Sequence, residues 1–123
     1  MIIKNALRIF KSYKIFLFQI IFFEIIYSLR GYKGNSFTFS DNQTMADNIP
    51  CPYYFLYKIK KTLKQYKFHK FIDLGCGSGR VIDYFDKNFN EKKFVGIEYF
   101  SSQYDDCIKS FNERININII LED

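Results

Sequence analysis

Histidine and cysteine are scarce in this chain: His69 stands alone, and the three cysteines are spread over positions 51, 76 and 107 of 123 residues. With no Cys-x-x-Cys pair and a single imidazole, a recognisable zinc site is excluded and no metal is expected. An odd, widely spaced set of thiols also argues against a disulfide framework and fits a reducing cytoplasm. Cys76 has neither His nor a second Cys near it in sequence to activate it as a nucleophile, so a small side chain tucked behind a turn is expected there. A bilayer-length apolar run is missing as well. Ile15 to Tyr27 is nearly all apolar, but Gln19 and Glu24 interrupt it and no small-residue cleavage site follows, which excludes a spanning helix and a signal peptide. Acid is in deficit, with 13 Asp+Glu against 18 Lys+Arg and a net charge of +5. Lys, Asn, Ile, Phe and Tyr recur throughout, so the charge reads as compositional bias and no nucleic-acid partner is expected.

What is present is ample apolar material. Hydrophobic residues make up 48% and aromatics 20%, enough for a core and too much for a disordered chain. Residues 1–30 read as an amphipathic helix in which Lys4, Arg8, Lys11, Ser12, Gln19 and Arg30 share one side and Phe, Ile and Leu the other. Packing against the domain or a partner chain is the preferred reading of that helix, and a peripheral position on an anionic membrane surface is the alternative. Residues 31–48 form a polar, glycine-punctuated linker, leaving 49–123 as the domain. Pro50 and Pro52 give an extended lead-in to a helix, with Leu56, Ile59, Leu63 and Tyr66 as its apolar stripe. For Tyr53 and Tyr54 at its start, aromatic packing is the expected role.

The organising stretch is Lys70-Phe71-Ile72-Asp73-Leu74-Gly75-Cys76-Gly77-Ser78-Gly79-Arg80: a strand ending in a carboxylate, a three-glycine turn, and the start of a helix. Glycine lets backbone approach a ligand closely, and a helix start offers free N–H groups. Helix Arg80–Asp86 should turn Val81, Ile82 and Phe85 to a sheet, and Lys87–Lys93 should be a polar turn. A second strand, Phe94–Tyr99, places Glu98 about 20 residues beyond the last glycine, where a dinucleotide-type fold presents an acid to ribose hydroxyls. Ser102–Asp105 has the form of a capping box opening a helix to about Asn112, and Ile115–Leu121 is a third strand closed by Glu122 and Asp123. The pattern predicts an α/β, Rossmann-like parallel sheet with helices on both faces, truncated after the third strand and preceded by the N-terminal helix. Ligands bind such sheets at the carboxyl ends of the strands, and all three strands here end in acids. A pyrophosphate suits that acidic rim poorly, whereas a cofactor carrying a sulfonium and an amino group suits it well.

At these residues the chain resembles the class I S-adenosylmethionine-dependent methyltransferases. Asp73-Leu74-Gly75-Cys76-Gly77-Ser78-Gly79-Arg80 is similar to that family's first motif and Val95-Gly96-Ile97-Glu98 to its second, the likeness running from about residue 52 to the end. The resemblance implies S-adenosylmethionine as cofactor. Gly75 and Gly77 would lie against its methionine part, Asp73 would act through its amino group or an intervening water, Glu98 would take both ribose hydroxyls, Tyr99 would line the adenine, and Asp123 would meet the adenine amine. Cys76 and Gly79 belong to the same set through their places in the turn. The family's sheet has seven strands and its catalytic residues usually follow the fourth, so no catalytic residue and no methyl acceptor is assigned, and a second chain is a candidate to cover the open sheet edge. Two other readings stand beside it: a non-catalytic S-adenosylmethionine-binding or assembly module completed by a partner, and a fragment of a nicotinamide oxidoreductase.

Overall fold

The computed structural model describes residues 2–32 and 50–122, with side chains from Lys14 onward. The elements are α1 (Ile2–Leu29), α2 (Tyr53–Leu63), β1 (Lys70–Leu74), α3 (Arg80–Asn88), β2 (Lys93–Glu98), α4 (Ser101–Phe111) and β3 (Ile117–Leu121). The strands form one parallel sheet in the order β1-β2-β3, with Phe71 level with Phe94 and Phe94 level with Ile117. Most of the 31–48 linker lies outside the described residues, as does Asp123.

Strand periodicity decides which side of the sheet is covered. Phe94, Gly96 and Glu98 of β2 are buried, while the alternate residues Val95 and Ile97 are only half-buried and Ile72 is 54% exposed. The covered side carries α3 and α4: Phe85 of α3 lies 4.8 Å from the Phe71 ring, and Ile82 of α3 and Ile119 of β3 crowd the space above Gly96. Among the described residues α3 and α4 share one face, because a strand order that advances in one direction with crossovers of one hand repeats the same side.

Four boundaries also move. The buried stripe of α2 begins at Tyr53 and runs through Leu56 to a half-buried Leu63, leaving Ile59 and Tyr66 exposed. Helix α3 continues to Asn88, where the Asn88 amide donates to the Tyr84 carbonyl and Lys87 pairs with Asp83 one turn back. At α4 the capping box is not used: the helix starts at Ser101 after Phe100, which supplies no side-chain cap. Strand β3 starts only at Ile117, since the Ile117 N–H closes a turn onto the Arg114 carbonyl.

Helices α1 and α2 stack beside α3 through rings. Tyr27 lies 4.9 Å from the Tyr53 ring, and its hydroxyl is 3.2 Å from that of Tyr84. Such pairs add about 0.5–1.5 kcal/mol each beyond the area they bury. Glu24 of α1 points the same way, accepting the Tyr53 N–H at 2.7 Å and pairing with Arg80. The N-terminal helix thus packs against the domain. Its other side leaves Leu17, Phe18, Ile21, Phe22 and Ile25 exposed, and no described helix is long and apolar enough to cross a membrane.

Candidate functional site

The turn after β1 is built by its neighbour. Gly75 and Cys76 both donate their N–H to the Ile97 carbonyl, at 2.8 and 3.1 Å, which carries the β1–β2 ladder past the end of the strand. Gly79 then closes on the Cys76 carbonyl at 2.8 Å and passes the chain into α3. Gly75 and Gly79 both take left-handed angles, φ +72° and +85°, but for different reasons. A Cβ on Gly79 would strike the Phe111 ring and stand 2.8 Å from the Cys107 sulfur, so that glycine serves the packing of α4. A Cβ on Gly75 would meet nothing within 4 Å. Gly75 therefore borders open space at the carboxyl end of the sheet, where a ligand could lie.

Two carboxylates flank that space. Glu98 is buried and held by backbone at both oxygens: its Oε2 accepts the Gly77 N–H at 2.6 Å, and its Oε1 accepts those of Tyr99 at 2.9 Å and Phe100 at 3.0 Å. It ties the glycine turn to Tyr99 and Phe100, the lead-in to α4. A carboxylate has about four acceptor positions, so about one is left for a ligand hydroxyl. Asp73 is its opposite. Its Oδ2 is buried without a hydrogen-bond partner, and burial, helped by the negative charge of Glu98, pushes its carboxyl up to about 6. A buried carboxylate oxygen without a partner is costly, and an amine or ammonium donor would relieve it.

The remaining expected residues sit around these two. Tyr99 is 62% exposed beside Glu98, its ring edge-on to Phe100 at 5.1 Å. Cys76 turns inward, its sulfur 4.0 Å from that of Cys107; this contact and burial push its thiol far up, so it stays protonated. Glu122 continues the ladder by donating its N–H to the Glu98 carbonyl at 3.1 Å, and its side chain is exposed. Asp123 lies outside the described residues. A cavity of about 470 Å³ opens at the amino ends of the strands between Lys70, Lys93 and Ile117, away from all of these residues. In a parallel sheet that is the wrong end for a ligand.

Sequence reasoning missed one wall of the site. Arg80, the first residue of α3, is buried with its guanidinium 3.8 Å from the Tyr53 ring centre. Burial raises the Cys51 thiol in the lead-in to α2, Arg80 pulls it back, and Asp73 and Glu24 add to the rise. The signal that could have found this wall was Glu24, an acid inside an otherwise apolar run.

No protein-family model and no curated protein sequence matches the chain. Among solved structures, a protein-L-isoaspartate O-methyltransferase superposes with a TM-score of 0.57 at 11% identity, over 71% of this chain and 28% of its own. The plantazolicin methyltransferase BamL, in complex with a triazolic desmethylPZN analog and SAH, gives 0.47 at 23% identity, over 55% and 27%. Coclaurine N-methyltransferase bound to N-methylheliamine and SAH gives 0.47 at 18%, over 74% and 27%. The chain thus spans less than a third of each of these proteins. The first superposition shows the fold, a Rossmann-like parallel α/β sheet shared with part of that methyltransferase.

Proposed function

We propose that the chain binds S-adenosylmethionine at the carboxyl ends of β1 and β2, as the cofactor-binding part of a methyltransferase. The observation that carries this reading is the partnerless Oδ2 of Asp73 beside the open space at Gly75. When bound, S-adenosylmethionine supplies a methyl group activated by its sulfonium. Asp73 would take the cofactor's amino group, which fills the vacant acceptor position and draws the carboxyl down into its charged form. Gly75 and Gly77 would present bare backbone to the methionine part. Glu98, fixed by its three N–H bonds, would offer its remaining lone pair to the ribose, and Tyr99 would lie along the adenine with Asp123 at its amine. Cys76 and Gly79 would contribute by shaping the turn from behind. A dinucleotide fits less well, because its pyrophosphate would face the buried Glu98 and half-buried Asp73 carboxylates instead of a helix start free of acid.

The acceptor and the catalytic residues are left unassigned. An assembly module completed by a second chain is the alternative reading, favoured by the position of β1 at the sheet edge with Leu74 76% exposed. The outward apolar side of α1, whose single acid Glu24 faces inward, supports contact with an anionic membrane surface. Calorimetric titration of the chain with S-adenosylhomocysteine, S-adenosylmethionine and a nicotinamide dinucleotide tests the cofactor. Binding of the two adenosyl ligands alone is expected; binding of the dinucleotide alone, or of none, overturns the assignment. Flotation with vesicles rich in anionic lipid tests α1: recovery with the vesicles is expected, and recovery with neutral vesicles alone contradicts an electrostatic contact.

A further inference from the structure

Arg80 stands where a cation is least welcome. It is the first residue of α3, at the positive end of the helix dipole, and its side chain is almost wholly withdrawn from water. What compensates it comes from outside the turn: the Tyr53 ring against its guanidinium and the Glu24 carboxylate reaching over from α1. Glu24 does a second thing with its other oxygen. Helix α2 begins after Pro52, which has no side chain able to cap it, and the Tyr53 N–H would be one of the orphan donors of its first turn. Glu24 Oε1 accepts that N–H at 2.7 Å, serving as a cap supplied from 29 residues away in sequence.

One carboxylate therefore fastens the starts of two helices, and both starts lie beside the end of β1. Helix α3 opens directly from Gly79, the last glycine of the turn that follows β1, and Tyr53 at the α2 start lies against Arg80, the first residue of α3. Without Glu24, the buried Arg80 loses the carboxylate it pairs with, and the Tyr53 N–H at the α2 start loses its acceptor. The wall beside Asp73 would then have to be ordered by the ligand itself, at a cost in affinity.

We propose that Glu24 is a positioning residue for the cofactor site, acting through Arg80 and the Tyr53 N–H to hold the starts of α3 and α2 against the end of β1. The N-terminal helix is thereby part of the binding apparatus for an adenosyl amino-acid ligand. This rests on the cofactor reading above.

The test compares three full-length chains, the parent, Glu24→Gln and Tyr27→Phe, by calorimetric titration with S-adenosylhomocysteine and by thermal unfolding without ligand. Tyr27→Phe acts as the structural control. It sits on the same helix and loses its hydroxyl contact with Tyr84 at 3.2 Å, but it touches neither Arg80 nor the Tyr53 N–H. Both variants should melt lower than the parent, and Glu24→Gln alone should raise the dissociation constant, by about tenfold. An unchanged constant for Glu24→Gln, or an equal rise for Tyr27→Phe, overturns the proposal while leaving the cofactor assignment intact. Failure of the parent to bind removes both. If Glu24→Gln is unfolded at room temperature, Glu24→Asp replaces it. Asp keeps the charge near Arg80 but falls short of the Tyr53 N–H, so a severalfold rise supports the role and parental affinity refutes it.

Discussion

The ends of β1 and β2 carry the same chemical group in opposite states. Asp73 and Glu98 are adjacent strand-end carboxylates flanking one glycine turn, and from sequence they have parallel roles. In the fold, Glu98 holds three backbone N–H groups and acts as a structural clamp, while Asp73 keeps a buried oxygen with no partner. One carboxylate stabilises the site and the other is strained by it. The difference teaches that an acid at a strand end is a ligand group only to the extent that the surrounding backbone leaves its lone pairs free.

Replacing the clamp should have the largest effect. Glu98→Ala leaves the N–H groups of Gly77, Tyr99 and Phe100 without their acceptor, and the loss should reach about 3 kcal/mol or more in urea unfolding. Parental stability in that variant would make the two strand ends equivalent after all.

Replacing the strained acid should act in the opposite direction. The folded state holds the Asp73 proton more tightly than the unfolded chain, its carboxyl being raised from 3.8 to about 6, so stability falls as pH rises from about 4 through 6 and levels off above. Asp73→Asn removes that penalty. The ligand-free variant should gain up to about 3 kcal/mol near neutral pH, less what residual solvent contact screens, and little at pH about 4. Its affinity for S-adenosylhomocysteine should nonetheless drop about tenfold or more, since a charge-assisted bond of about 1.5–3 kcal/mol is lost. Thermal unfolding across pH, with and without ligand, reads both effects. A destabilised, tight-binding Asp73→Asn would reverse the assignment. In the parent, the same titration predicts affinity that weakens below pH about 6, as the ligand's amine must then displace a proton from Asp73.

Gly75→Ala should have the smallest effect. The added methyl meets open space, so only the left-handed angle is strained, at about 1–2 kcal/mol. Comparing its loss of stability with its loss of affinity sharpens where the ligand lies: a methyl that disturbs binding more than folding marks the occupied side of the turn.

Much of this architecture was readable from local pattern. Strand, turn and helix around Asp73–Arg80 follow from apolar runs and glycine positions, and the parallel order follows from the alternation of elements. The shift of the α2 stripe to Tyr53 was not readable, because it is set by the Tyr27 and Tyr84 rings contributed by two other helices. Nor was the unused capping box at Ser102, since α4 already begins at Ser101, after a Phe100 whose N–H is held by Glu98 from the neighbouring strand.

The sequence alone determined that a glycine turn lies between two acidic strand ends, because those features depend on neighbours a few residues away. Only the tertiary structure decided which acid is satisfied, which glycine borders open space, and that Glu24 pairs with Arg80 and the Tyr53 N–H. These are questions of which groups lie within about 3 Å of one another. Register and helix packing settle that distance between residues far apart in the chain.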